Sequence, residues 1–99
     1  MIASHSLQEN LITLLAYDDE QGKIVARMID ANLFEGDKRV VAERCIEYWH
    51  KHGQAPKVHT PDLFADILEE KNRRAPAFIR ILRQMNELSE GTAWSAVLH

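Results

Sequence analysis

Apolar residues in this chain recur at three- and four-residue spacing, and no segment shows the sustained alternation that a half-buried strand requires. That pattern restricts the chain to packed helices. Ser6-Leu7-Gln8-Glu9 reads as a capping box, and Leu7, Leu11, Leu14 and Leu15 behind it form one stripe of a helix ending near Ala16 or Tyr17. Asp18 and Asp19 suit the start of a second helix with a stripe of Ile24, Val25, Met28 and Ile29. Leu33 and Phe34 are expected to plug the core from a short turn or one-turn helix. Asp37 opens the longest helix, DKRVVAERCIEYWHKHG, with Val41, Cys45, Tyr48 and His52 on one face and Val40 and Trp49 beside it. Glu47 and Lys51 form a favourable i, i+4 pair on another face, and Gly53 stands where a left-handed helix end is wanted.

The segment from Gly53 to Thr60 is the most deliberate punctuation. Pro56 biases Ala55 to extended backbone. Thr60 suits a cap, Pro61 a first helical position and Asp62 the positive end of a helix carrying Leu63, Phe64, Ile67 and Leu68 inward. The expectation is a fixed change of direction between two helices. Pro76 then begins a helix with Phe78, Leu82, Met85 and Leu88 buried and Ile79 and Ile81 widening the stripe. Gly91 stops it, and Thr92 caps a last segment, TAWSAVLH. The fold expected is all-α: a compact orthogonal bundle of five to six short helices, with residues 1–99 forming a single domain. At 99 residues a second core would not fit.

The chemistry in the sequence is sparse. Cys45 is the only cysteine, so no internal disulfide forms, and its place on an apolar stripe favours an inert thiol. His50, His52 and His59 lie near Cys45 and Asp62. Histidines two apart on a helix, however, diverge by about 200° and do not share an ion. Asp18-Asp19 and Glu69-Glu70 are explained by capping and solvation, and the four glycines are scattered with no phosphate loop among them. The chain reads as non-enzymatic, without metal or cofactor of its own.

A net charge of −3 argues against a domain built mainly to grip phosphates. The charge is unevenly placed: Lys71, Arg73, Arg74, Arg80 and Arg83 run with no intervening acid, just after Asp62, Asp66, Glu69 and Glu70. Two readings stand: a dipolar solvated face, or a docking patch for a charged partner. Of the two tryptophans, Trp49 is expected in the core and Trp94 at an interface. The candidate interface is therefore Arg73, Arg74, Arg80, Arg83 and Trp94. The opening residues MIASHSLQEN do not read as a secretory signal, and LITLLAY is too short to span a membrane. A soluble, cytoplasmic protein is expected.

Taken in order, these segments resemble a known family. SLQENLITLLAYDDE is similar to the opening helix of the N-terminal domain of DnaB-type replicative DNA helicases of bacteria and phages. LFEGDKRVVAERCIEYWHKHGQAP resembles that domain's phenylalanine, aromatic-ended helix and Gly-to-Pro corner, and HTPDLFADILEE the helix after it. TAWSAVLH resembles the short helix that precedes the domain's hairpin in the phage and prophage branch. The resemblance implies the globular head of a collar, which assembles with itself as a dimer or higher oligomer and receives primase or a helicase loader during DNA replication. It also implies that ATP, Mg and contact with DNA belong to an ATPase domain that this sequence lacks, as it lacks the family's long helical hairpin. The expectation is a head excised from a longer helicase. A small helical DNA-binding regulator and a stand-alone adaptor are the alternatives.

Overall fold

The computed structural model describes residues 3–69 and 73–90. The chain is all-α. Four α-helices, α1 (His5–Tyr17), α2 (Asp19–Met28), α3 (Gly36–His52) and α4 (Ala75–Glu90), are joined by two 3-10 segments, Ala31–Leu33 and Lys57–Phe64. The segment around Trp94 lies outside the described residues.

Helix α1 packs against all three other helices and the second 3-10 segment. Its cap is Ser4, whose hydroxyl accepts from the Leu7 amide, and not Ser6. Glu9, expected to reach back to Ser6, pairs instead with Lys38 of α3 at 3.6 Å. The buried face is rotated from the leucine stripe accordingly. Ile12, Leu15 and Ala16 are sealed in the core beside the polar Gln8 and Thr13, while Leu7 is half exposed. Both polar side chains are satisfied. Thr13 donates to the Glu9 carbonyl at 2.7 Å; Gln8 donates to the Ala3 carbonyl at 2.7 Å and accepts from the Glu35 amide at 3.1 Å. Gln8 thus joins α1 to the start of α3, where an amide would otherwise lack a partner.

Asp18 ends α1 and caps α2, its carboxylate accepting from the amides of Glu20 and Gln21. The face α2 turns inward carries Gly22, Val25 and Ala26; Ile24 and Met28, expected in the stripe, are exposed. Small residues win that face because α2 lies close against the end of α1. A β-carbon at Gly22 would stand 2.5 Å from the Leu14 carbonyl oxygen and 2.9 Å from the Trp49 ring. Phe34 plugs the core behind the first 3-10 segment, as expected.

Helix α3 buries Val41, Ala42, Cys45 and Trp49, with Tyr48 only partly covered and His52 exposed. The Trp49 indole donates to the Leu15 carbonyl at 2.8 Å, which satisfies an orphan acceptor in the last turn of α1. Lys51 pairs with Glu47 at 3.7 Å, and Gly53 closes the helix in the left-handed region with φ +67°. Helix α4 begins with Pro76 in its first turn and buries Phe78 and Met85, while Ile79 is exposed.

Candidate protein-interaction surface

The stretch from Gly53 to Leu68 does not take the expected route. Pro56 adopts a helical backbone, and the next residue, Lys57, takes a positive φ of +49°. The chain then tightens into a 3-10 segment with Pro61 inside it, in place of an extended linker and a new α-helix. Thr60 caps nothing. Its buried hydroxyl donates back to the Lys57 carbonyl at 2.6 Å, a local bond that competes with helix initiation. Pro61 removes an amide from the middle of the segment, so regular i to i−4 bonding has no start there.

A left-handed lysine is unfavourable by roughly 1–2 kcal/mol, and the surroundings hold it in place. Its ammonium donates to one oxygen of Asp19, and the other oxygen accepts from the Ala55 amide at 3.1 Å. Farther along, the Arg44 guanidinium donates to the Leu63 carbonyl at 2.8 Å and clasps both oxygens of Asp66 at 2.7 and 3.1 Å. The same guanidinium lies 5.4 Å over the Phe64 ring, and Phe64 packs on Phe78 of α4 with centroids 5.7 Å apart. The apolar residues expected to face inward here do so: Phe64 and Ile67 are buried, Leu63 and Leu68 partly.

Two ties therefore hold the corner from outside it, Asp19 to Lys57 and Ala55, and Arg44 to Asp66. Lys57 and the Ala55 amide keep the Asp19 carboxyl below its ordinary value, and Arg44 does the same to Asp66. A depressed folded value contributes stability that is complete above the unfolded value near 3.8 and lost as pH falls through the folded one. The gap in unfolding midpoint between wild type and Asp19→Asn/Asp66→Asn, open at neutral pH, is therefore expected to close as pH falls below the ordinary carboxylate value. Urea titrations across pH 2–7 would show it. A gap that stays constant would mean that the two carboxylates do not hold the corner by charge.

Against this corner lies a groove. Tyr17 at the end of α1, Val58 and Pro61 of the corner, and Leu82, Arg83 and Asn86 of α4 line one half, of about 370 Å³. The groove continues past Tyr17, Val58 and Asn86 into a second half of about 330 Å³ bounded by Asp18, Ser89 and Glu90. Val58 is 83% exposed, the most exposed of the large apolar side chains among the described residues. Tyr17 forms the floor. Partial burial pushes its phenol up, partly offset by a hydrogen bond with Thr60. A second, shallower cleft of about 710 Å³ separates α2 from α3, with Ile29 and Ile46 at its base and the Lys51–Glu47 pair on its rim.

Of the residues expected at an interface, the arginines divide. Arg74 pairs with Asp37 at 3.2 Å and lies 5.1 Å over the Phe78 ring, so it fastens α4 to α3. Arg80 and Arg83 are exposed on α4 and have no carboxylate partner among the described residues, and Arg73 is exposed just before the helix. Only Arg83 lines the groove. Trp94, Lys71 and Glu70 lie outside the described residues. Tyr17 and Asn86 carry no signal of their own in the sequence. The one available hint was Val58, an apolar residue between two prolines that belongs to no helical stripe.

The groups weighed for chemistry do not converge. Cys45 is sealed in the core, and burial pushes its thiol up to about 12, so no thiolate forms near neutral pH. His52 packs its ring on Tyr48 at 4.3 Å, and His59 lies 3.6 Å from Asp62 at the surface. Among the described residues no three histidine, cysteine, aspartate or glutamate side chains gather as a metal site, and no helix is long and apolar enough to cross a membrane. Comparison with protein-family models, curated proteins and solved structures gives no significant match.

Proposed function

We propose that this chain is a non-catalytic protein-interaction and oligomerisation domain of the DNA-replication machinery, the head of a DnaB-type helicase collar that receives primase or a helicase loader. The observation that carries the reading is the contrast between interior and surface. The reactive groups are occupied: the thiol is buried, and the corner carboxylates are tied to Lys57 and Arg44. What the surface offers instead is apolar side chains and the Arg83 guanidinium lining a groove on a braced corner. The order of segments that resembles the helicase head adds the biological setting. On this reading ATP hydrolysis and DNA translocation belong to a separate ATPase domain, and the head works in the cytoplasm.

A small DNA-binding regulator is the second reading, favoured by Arg73, Arg80 and Arg83 standing exposed along one segment. The net charge of −3 and the apolar lining of the groove weigh against it. The two part cleanly in one assay. The immobilised domain is presented with the primase and helicase loader encoded by the same genome, and separately with duplex DNA over a salt series. Retention of primase or loader, with no DNA bound, is expected. DNA binding that weakens steeply with salt, with neither protein retained, would replace the proposal by the regulator.

A further inference from the structure

We infer that the groove between the corner and α4 is a docking site for a charge-polarised amphipathic segment of a partner protein, apolar along its length and acidic at the end that meets Arg83. The inference rests on reading the chain as an interaction module, and not on that module being a helicase collar. The lining supplies the apolar part. Val58, Pro61 and Leu82 present hydrocarbon to a channel whose two halves together fall in the size range of ligand-binding clefts. Ile79, Arg83 and Asn86 follow one another at i, i+4 and i+7, so exposed Ile79 extends the same flank of α4 one turn beyond the groove.

Charge selects the occupant. Lys38, Arg39, Arg44, Lys51, Lys57 and Arg74 all sit in ion pairs, whereas Arg83 and its neighbour Arg80 face solvent with no carboxylate partner among the described residues. The half of the groove at Arg83 is lined by Lys57 and Arg83 and by no acid. Lys57, already paired with Asp19, lines the other half as well, so the halves differ by Arg83 on one side and Asp18 and Glu90 on the other. A uniform polyanion such as nucleic acid matches the first half and is repelled by the second. A protein segment with acid at one end and base at the other matches both. The far wall is the braced 3-10 corner, so little backbone freedom remains to be lost when a ligand seats there.

The test titrates the full isotope-labelled chain with a synthetic helical peptide of about 15 residues. The peptide carries leucines at i, i+3, i+4 and i+7, glutamates at one end, lysines at the other, and a spin label at the glutamate end. Expected are amide shifts clustered at Val58, Leu82, Arg83 and Asn86, with broadening stronger at Arg83 than at Glu90. Val58→Asp and Arg83→Glu, each checked for native helicity, are expected to weaken binding at least about tenfold, while Ile24→Asp on α2 leaves it unchanged. Several results would overturn the inference. They are shifts centred on the α2–α3 cleft, affinity indifferent to Arg83→Glu, or a DNA duplex giving the same shifts more tightly than the peptide. Contacts from the Trp94 indole to the Val58 methyls would do so too, since the chain's own 91–99 segment would then fill the groove. Failure here leaves the capture of primase or loader unaffected, so the two claims fall separately.

Discussion

Phe64→Ala is expected to lower the free energy of unfolding by about 3–5 kcal/mol, in the range for emptying a fully buried aromatic site. Domains of this size hold only about 5–15 kcal/mol in total, so the loss is a large share of what holds the fold. The ring is wholly buried, packed on Phe78 at 5.7 Å and roofed by the Arg44 guanidinium. Its removal separates the corner from α4 and leaves the turn to its two polar ties, Arg44 to Asp66 and Asp19 to Lys57 and Ala55. Val58→Ala, six residues earlier in the same corner but 83% exposed, should change stability by no more than about 0.5 kcal/mol. Urea denaturation of the two variants side by side measures the contrast. Similar losses would mean that the corner is held by its backbone and not by its aromatic anchor.

Gly22→Leu should be nearly as damaging, and Gly22→Ala tests the reason. Helix propensity alone makes alanine better than glycine inside a helix by about 1 kcal/mol. At Gly22 the added carbon meets the Leu14 carbonyl oxygen at 2.5 Å and the Trp49 ring at 2.9 Å. That carbonyl accepts from the Asp18 amide at the end of α1, so it cannot yield without opening the junction of α1 and α2. Overpacking of this kind typically costs about 1–3 kcal/mol. The net expectation for alanine is a loss, with a larger one for leucine and a shift in Trp49 fluorescence as its bond to Leu15 is disturbed. Thermal melts followed by fluorescence check both. A stabilised Gly22→Ala would show that α2 can move away from α1.

Helix existence was legible because this chain punctuates strongly. Asp18, Gly53 and Pro76 mark ends whose chemistry is local, and each stands at or beside the helix boundary it signals. Helix rotation was less legible. In α1 apolar residues occupy both sides, so choosing Leu7 over Ile12 could not be settled by periodicity. The polar Gln8 and Thr13 on the buried face misdirect any scale that counts only hydrophobes. In α2 the close approach to α1 selects small residues, which turns Ile24 and Met28 outward. The corner misled for another reason. Thr60-Pro61-Asp62 has the composition of a helix start, yet Thr60 bonds backward to Lys57, and Lys57 adopts its left-handed backbone because Asp19, far away in sequence, receives its ammonium. The groove needed three separate segments brought together, and among its lining residues only Arg83 was expected at an interface.

The proposal that this chain is part of a replicative helicase is tested on the native protein. An antibody raised against the domain is used to precipitate the native protein from its source cells, and the precipitate is assayed for size and for ATP hydrolysis. A chain of about 50 kDa, the size of head, hairpin and ATPase domain together, with hydrolysis stimulated by single-stranded DNA, is expected. A band at 11.4 kDa without such activity would contradict it and leave a free-standing interaction module.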